Sequence, residues 1–311
     1  MSYLHNDIKV FSEAIDIAAY GNVMISQTAE LDYYMTLTAK ELYGRCPYLV
    51  LKGAAALAKC YRVIGRFSGR LEFIVIRDIT ENERIHIADA VRTAAELIGL
   101  DISYINDGGE AGFISGGSDI IKCRLAYKSI CGTVFSETES FELCIELPMH
   151  SSYTETAVMP MECRVLDMIR TEAPEYTEEY GAEVFDINVR DMDIILAEKI
   201  FDICDNYLTG SIRKNSADIY DVYMLLQLVD TEDSFSKAVE TVRREREGSA
   251  LHPSAAQDMD IEELLYRIVK EEVYKQDYND LTSRLLETPV SYDDAASAVY
   301  TAADSKVFSV G

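Results

Sequence analysis

Residues 49–57 read LVLKGAAAL, and residues 66–73 read RFSGRLEF. In the first segment an apolar strand ends at Lys52 and Gly53, and a helix of good helix formers begins at once. A turn of this kind directs backbone N–H groups, and the positive end of the helix dipole, at an anion. One glycine between a strand and a helix is common, so the turn alone is weak evidence for a ligand and by itself is interpreted as structural.

The second segment predicts a strand, because GRLEFIVIRDI at 69–79 is bounded by a glycine and by the charged sequence TENER. Positions 70 and 72 are two residues apart, so their side chains point to the same face of that strand. Two carboxylates with this spacing share divalent metal ions that bridge a triphosphate. Here the two positions hold Arg70 and Glu72.

Five motifs, in matching order, resemble the AbiEii/AbiGii toxin family of nucleotidyltransferases, a branch of the DNA polymerase β-like superfamily. That family typically carries EKDYxxT, LKGGTAL, RxSxDIDL, AEK and RDLYDLxxL. The corresponding segments here are Glu30–Thr36, Leu51–Leu57, Arg66–Phe73, Leu196–Lys199 and Ala217–Tyr223. A single motif would be weak, but five in register make a specific resemblance.

The resemblance implies an α/β (α+β) fold, in which a polymerase-β-like mixed sheet flanked by helices precedes a helical C-terminal region. It implies transfer of a nucleoside monophosphate from an NTP to an acceptor such as tRNA, with Mg²⁺ as the metal ion. It also implies a separate antitoxin protein as partner, as in type IV toxin–antitoxin or abortive-infection systems. Carried over residue by residue, it implies catalytic roles for Glu72, Lys199 and Asp218, nucleotide binding by Lys52, Gly53, Ala54, Arg66, Ser68 and Arg70, and metal binding by Glu72 and Glu146.

Three positions depart from the family pattern. Ala54 replaces the second glycine of the turn, and its methyl group would crowd a phosphate that approaches the backbone. Arg70 replaces the first strand acid and should repel Mg²⁺, whereas Glu72 replaces the second and is one methylene longer. One carboxylate is inadequate for two-metal phosphoryl transfer. An alternative therefore stays open, a catalytically inactive protein that binds a nucleotide, RNA or a partner protein.

A third carboxylate is sought in FELCIEL, residues 141–147. Alternation along this predicted strand places Glu142, Cys144 and Glu146 on one face. Glu146 is the better match to the third metal ligand of the superfamily. The alternative, a residue on the solvent face of an edge strand, is equally compatible with the pattern.

Lys199 and Asp218 each have a structural alternative as well. Lys199 lies on a predicted helix at 191–208, and Ile195 and Ile203 bracket it at i−4 and i+4. In the family this lysine faces the nucleotide phosphates, whereas an ordinary lysine here would extend from the flank of the helix into water. Asp218 either positions or deprotonates the acceptor hydroxyl, as the resemblance implies, or only complements a helix N-terminus.

Periodicity along the chain predicts the order of the elements. We expect helices at 8–20, at 28–43, after Gly53 and at 82–99, and strands at 69–79, 120–128, 140–147 and 182–190. After Arg190 the pattern is helical nearly to the end. The prediction is a nucleotidyltransferase-like domain over residues 1–190 and a helical C-terminal domain over residues 191–311.

Composition limits the kinds of protein that remain. The 311 residues are 48% hydrophobic and 27% charged, which excludes intrinsic disorder of the whole chain. No apolar run reaches the roughly 18–20 residues of a membrane helix, and the start lacks a secretory signal, so we expect a cytoplasmic protein without a membrane partner. Seven scattered cysteines predict reduced thiols.

The net charge of −25 repels nucleic acid, so an RNA acceptor would need a local basic patch. Residues 52–84 offer one, because they carry seven Lys and Arg against four Asp and Glu, a local charge of +3. The acidic C-terminal stretch at 251–311 is interpreted as a solvated surface.

Overall fold

The computed structural model describes residues 2–20, 25–104, 120–133, 136–147, 154, 156–229, 233–304 and 308. Contacts divide the chain into two units. Unit 1 comprises Met1–Leu51, Ser68–Leu147 and Ala157–Val189, and unit 2 comprises Lys52–Phe67, Pro148–Thr156 and Arg190–Gly311. The division into domains at residue 190 stays a prediction.

Within the described part of the chain, seven strands form one mixed sheet. They are β1 (Val50–Lys52), β2 (Arg70–Ile74), β3 (Asp101–Tyr104), β4 (Ile120–Thr133), β5 (Ser136–Glu146), β6 (Thr156–Met161) and β7 (Phe185–Arg190). Their order is β3-β4-β5-β2-β1-β7-β6. β2 pairs with β5 and β1 with β7 in parallel, whereas β4 is antiparallel to both β3 and β5.

Helices account for most of the remaining described residues. They are α1 (Ile8–Tyr20), α2 (Ser26–Arg45), α3 (Gly53–Ala56), α4 (Glu81–Ile98), α5 (Arg164–Glu172), α6 (Met192–Thr209), α7 (Ala217–Leu225), α8 (Asp233–Arg246), α9 (Ile261–Lys270), α10 (Lys275–Asp280) and α11 (Tyr292–Asp304). The predicted fold class, a mixed sheet with flanking helices and a helical C-terminal region, is confirmed. Among the described residues, no helix combines the length and the hydropathy needed to cross a bilayer.

Local signals explain where several of these helices begin and end. Thr80 and Glu83 form a reciprocal capping box at the start of α4, and Gly99, with a φ of 77°, closes the helix. Asp191 caps the start of α6, because its side chain accepts a hydrogen bond from the backbone N–H of Asp193. These sequence signals are the reason that both helices lie close to their predicted bounds.

The β4–β5 hairpin alternates as its sequence predicts. The inward positions of β5 (Phe141, Leu143 and Ile145) are buried, and Glu142 and Glu146 on the other face are partly exposed. Apolar burial on one face therefore fixes the register of this hairpin, since a slip of one residue would exchange the two faces. The register places Arg70 of β2 and Arg124 of β4 on either side of Glu142.

Some predicted elements need correction. β2 ends at Ile74 rather than at residue 79, because its ladder partner β5 ends at Glu146, opposite Ile74. β3 was not predicted, since a four-residue strand that begins with an aspartate gives little signal. β6 contains Pro160, a residue that argues against a strand except at a sheet edge, and β6 is the last strand of the sheet.

All seven cysteines are thiols that form no disulfide, as predicted. Six of them are buried, and burial raises the pKa of the Cys123 thiol to about 12. A thiol with so high a pKa is protonated at neutral pH and therefore a weak nucleophile. The cysteines accordingly belong to the packing of the core.

Candidate functional site

The candidate site residues fall in both units, and each unit is described by itself. Unit 1 holds Ser68, Arg70, Glu72 and Glu146, and unit 2 holds Lys52, Gly53, Ala54, Arg66, Lys199 and Asp218.

In unit 1, Arg70 and Glu72 share one face of β2, as the spacing predicts. The Arg70 side chain is 45% exposed and that of Glu72 is 18% exposed, whereas Leu71 between them is buried. Ser68 holds the start of this strand, because its hydroxyl donates to the Arg70 carbonyl at 3.1 Å and accepts from the Arg70 N–H at 3.3 Å. Ser68 therefore contributes to the geometry of the strand that carries Arg70.

Three cations surround the carboxylate of Glu142 on the same face. The distances to its Oε2 atom are 3.5 Å from Arg70 Nε and 3.4 Å from Lys122 Nζ, and Arg124 Nη2 is 4.0 Å from its Oε1 atom. Arg70 Nη1 is also 3.8 Å from Glu72 Oε1. All four distances exceed the ~2.7–2.9 Å of a strong charge-assisted hydrogen bond. These are loose ion pairs on a partly exposed sheet face.

The residues present do not fit a pair of divalent metal ions. Glu72 lies opposite Cys144 in the sheet, and Glu146 lies opposite Ile74, two residues further along the strands. A guanidinium stands at the position of the other strand carboxylate, in contact with Glu72. Two-metal phosphoryl transfer uses carboxylates that bridge both ions. We therefore derive no step of the reaction through a metal ion held by Glu72 and Glu146.

In unit 2, the turn after β1 requires its glycine. Gly53 has a φ of 65°, a conformation that side-chain-bearing residues rarely adopt. Lys52 is only 3% exposed, and its ammonium is 3.1 Å from Glu198 Oε1. Ala54 is likewise buried. Direct phosphate contacts by Lys52, Gly53 and Ala54 stay a prediction.

Glu198 belongs to a buried chain of charges. The Glu198 Oε1 atom, which contacts Lys52, also lies 3.7 Å from Arg190 Nε. The Arg190 guanidinium is fully buried and also binds Glu245. Because a buried charge is costly unless it is paired, this chain constrains the start of α6 strongly. Glu198, the residue before Lys199, therefore holds in place the helix that carries Lys199.

Lys199 stands at the centre of a second buried cluster. Its ammonium is 2.5 Å from Asp218 Oδ1 and 3.2 Å from Asp221 Oδ2, both on α7. Arg66 binds Asp221 through two parallel hydrogen bonds, from Nε at 2.6 Å and from Nη2 at 2.5 Å. The Lys199 side chain is 8% exposed, so the alternative of a lysine that extends into water is wrong. We call Arg66, Lys199, Asp218 and Asp221 the lysine–aspartate cluster.

The two aspartates of this cluster differ in their pKa values. Burial raises the pKa of Asp218, and the neighbouring Asp221 and Asp202 carboxylates add to that effect against the opposing charge of Lys199. Burial also acts to raise the pKa of Asp221, but the charges of Arg66 and Lys199 outweigh it and lower that pKa. Asp221 is thus an anchor that is ionised at neutral pH, and Asp218 is the carboxyl group better suited to accept a proton.

Sequence reasoning left Asp221 and Glu198 without a role. Asp221 carried a usable signal, because it follows Asp218 at i+3 and so lies on the same side of α7. For Glu198, the one signal in the sequence was its position next to Lys199. Its partners Lys52 and Arg190 become visible only in the structure.

One other group of metal-ligand types occurs among the described residues, formed by Asp202, Asp205 and His252. Arg246 Nη1 lies 2.8 Å from Asp202 and 3.7 Å from Asp205. Burial acts to raise the pKa of Asp202, but the charge of Arg246, together with smaller contributions from Lys52, Lys199 and His252, outweighs it and lowers the pKa to about 2. Since a guanidinium already neutralises these carboxylates, we interpret the group as an ion-pair network.

Comparisons with known proteins identify the family. A search of curated proteins found no match. Among solved structures, the chain is similar to MenT4, a nucleotidyltransferase toxin from Mycobacterium tuberculosis H37Rv, with a TM-score of 0.50 and 15% sequence identity over 92% of this chain and 86% of that chain. At this identity the likeness concerns the fold.

The sequence itself provides the stronger comparison. The family model described as nucleotidyl transferase AbiEii toxin, type IV toxin–antitoxin system, matches residues 40–299. This range includes four of the five motifs and every candidate site residue. The chain belongs to the AbiEii family of nucleotidyltransferase toxins of type IV toxin–antitoxin systems.

Proposed function

We propose that this protein transfers a nucleoside monophosphate from an NTP to a hydroxyl group of an RNA acceptor such as tRNA in the cytoplasm. Family membership implies an NTP as substrate and an antitoxin as partner. The acceptor is the new element of the proposal. The observation that supports it best is the lysine–aspartate cluster, which carries the family's lysine and acid in direct contact with each other.

The proposed reaction assigns one role to each residue of the cluster. The acceptor oxygen attacks the α-phosphorus of the NTP, Asp218 takes the hydroxyl proton, and pyrophosphate leaves. Lys199 stabilises the negative charge that develops on the triphosphate. Arg66 and Asp221 hold Lys199 and take no proton. In this family the chemistry also uses a divalent metal ion, which Glu72 and Glu146 alone do not fit.

Radiolabelled NTPs and total tRNA provide the test. We expect one of the four NTPs to label tRNA, and we expect Lys199→Met and Asp218→Asn each to reduce labelling by at least about 100-fold, the contribution typical of a catalytic acid–base group. Lys270→Met and Asp280→Asn are matched controls, because both residues are exposed on other helices of unit 2.

Two results would contradict the proposal. One is labelling that persists at an unchanged rate in Lys199→Met. The other is the absence of labelling of any RNA by a folded chain that binds NTP, which would support the inactive nucleotide-binding alternative.

A further inference from the structure

We propose that Lys52 acts as a positioning residue for Lys199, through its ion pair with Glu198, rather than as a phosphate ligand. The inference rests on the proposed function, because it concerns how the lysine of that reaction is held. It assigns a new role to the lysine of the turn after β1, and it names Glu198 as the group that transmits this role. All three residues belong to unit 2.

Two cations at the ends of neighbouring strands converge on Glu198. Lys52 is the last residue of β1 and Arg190 is the last residue of β7, and these strands are adjacent in the sheet. Lys52 Nζ is 3.1 Å from Glu198 Oε1, whereas Arg190 Nε is 3.7 Å from the same atom. The other carboxylate oxygen, Glu198 Oε2, is buried and accepts no hydrogen bond from the described residues. Lys52 is therefore the nearer of the two cations that compensate this carboxylate.

Burial makes this ion pair costly to break. The side chains of Lys52 and Glu198 are 4% and 3% exposed, and Lys52 also interacts with other residues of the protein. A buried charge that loses its partner is strongly destabilising, because no water replaces the partner. Contact with a phosphate would require the Lys52 ammonium to leave Glu198 and would leave that carboxylate in part uncompensated. The arrangement therefore favours a Lys52 that stays bound to Glu198 during the reaction.

The next position in the helix connects this pair to the lysine–aspartate cluster. Glu198 and Lys199 are consecutive residues of α6, so their side chains point about 100° apart around the helix axis. Glu198 contacts Lys52. Lys199 contacts Asp218 and Asp221 on α7. A contact that fixes the rotation of α6 at residue 198 therefore also fixes the direction of the Lys199 side chain.

Substitution of both partners changes the buried charge differently from substitution of one. Lys52→Met removes a buried positive charge, and Glu198→Gln removes a buried negative charge. Each single variant leaves one charge unbalanced, whereas the double variant keeps the total charge of the natural chain, whatever further partners these residues have. Replacing both members of a buried pair by uncharged groups of similar size is often nearly neutral. The double variant therefore distinguishes an ion pair from two independent roles.

Steady-state labelling of tRNA at varied NTP concentration tests the inference. If the pair positions Lys199, Lys52→Met and Glu198→Gln should each lower kcat about 10- to 100-fold, with KM for the NTP within about twofold of the natural value. The double variant should be at least about fivefold more active than either single variant. Lys270→Met and Glu240→Gln are matched controls, because both residues are exposed on other helices of unit 2.

A phosphate ligand would give a different pattern. Loss of a direct phosphate contact should raise KM for the NTP about tenfold or more in Lys52→Met, and adding Glu198→Gln should not reverse that loss. A purely structural pair would lower the melting temperature of the single variants and leave kcat per folded molecule unchanged. Either pattern would overturn the inference. If a single variant does not fold, KM of the double variant decides: an unchanged KM supports the positioning pair, and a tenfold higher KM indicates a phosphate ligand.

A carbon-13 NMR titration of the Asp218 carboxyl group, assigned by comparison with Asp218→Asn, tests the geometry without turnover. Burial raises the pKa of Asp218 and the charge of Lys199 opposes that effect, so a displaced Lys199 should raise this pKa further in both single variants. Loss of charge alone would raise it in Lys52→Met and lower it in Glu198→Gln. Shifts of opposite sign would therefore contradict a positioning role.

The outcomes separate this inference from the proposed function. A chain that labels no RNA, but whose two single variants both raise the pKa of Asp218, would refute the transferase and support the positioning pair. Labelling of RNA together with a raised KM as the one defect of Lys52→Met would do the reverse.

Discussion

Asp218 and Asp221 lie three residues apart on α7 and share the ammonium of Lys199, yet their surroundings give them opposite properties. The Arg66 guanidinium neutralises the charge of Asp221 and donates two hydrogen bonds to its carboxylate. Among the described residues, Lys199 is the one cation paired with Asp218, and burial raises the pKa of Asp218. The pair therefore combines a carboxylate with a lowered pKa and one with a raised pKa, which is a pattern typical of acid–base sites.

The contrast predicts opposite effects of the same substitution on stability. Because the pKa of Asp218 is higher in the folded chain than in the unfolded one, its ionised form costs folding free energy at pH 7, and the cost vanishes below the unfolded pKa. Asp218→Asn should thus leave the melting temperature unchanged or raise it, while transfer is lost.

Transfer by the natural chain should rise with pH through the elevated pKa of Asp218, since a base acts in its deprotonated form.

Asp221→Asn should instead lower the free energy of unfolding by about 3–5 kcal/mol, because it leaves a buried guanidinium without its carboxylate. Because the pKa of Asp221 is lower in the folded chain than in the unfolded one, the ionised carboxylate stabilises the fold above the unfolded-state pKa. This stabilisation is lost as the pH falls through the folded-state pKa. Denaturant unfolding of both variants at pH 7 measures the difference. A larger loss in Asp218→Asn than in Asp221→Asn would contradict this assignment.

Among the elements, α2 shows how a family motif serves structure rather than chemistry. Glu30 is fully buried and accepts hydrogen bonds from Ser129 Oγ at 2.5 Å and from the Ile130 N–H at 2.9 Å. Ser129 and Ile130 lie within the stretch between Lys128 and Thr133 where the register of β4 and β5 shifts. The Glu30 carboxylate accepts hydrogen bonds from backbone N–H groups that the irregular ladder does not pair between the strands.

Replacing this carboxylate should therefore destabilise unit 1. We expect Glu30→Gln to lower the free energy of unfolding by about 1.5–3 kcal/mol, the range for hydrogen bonds to a charged group. Glu13→Gln on the exposed side of α1 is the control and should change it by less than about 0.5 kcal/mol. Equal unfolding curves for both variants would show that Glu30 does not hold the hairpin.

The same elements show what the sequence could predict. The bounds of α1, α4 and α6 follow from periodicity and caps, and the faces of β2 and β5 follow from alternation. The partners of Glu30 lie about 100 residues away, and no local pattern specifies a contact of that separation. The resemblance indicated Lys199 and Asp218, but the ion pairs that fix them depend on tertiary packing.

For the whole molecule, the net charge of −25 has its own consequence for stability. Repulsion among surface carboxylates disfavours the folded state, and salt screens it. The melting temperature should rise between about 50 mM and 500 mM NaCl, by roughly 2–4 °C for each kcal/mol recovered. At about pH 5.5, nearer the isoelectric point of about 4.5, the gain should be smaller. A melting temperature that falls with salt would indicate that surface ion pairs outweigh the repulsion.

The bond between Arg66 and Asp221 joins residues 155 positions apart. During translation, Arg66 leaves the ribosome long before Asp221 has been made, and Lys199 and Asp218 also come late. A nascent chain that stops before α7 therefore lacks both aspartates of the lysine–aspartate cluster. The proposed transfer therefore requires synthesis to have passed α7, about two thirds of the way along the chain.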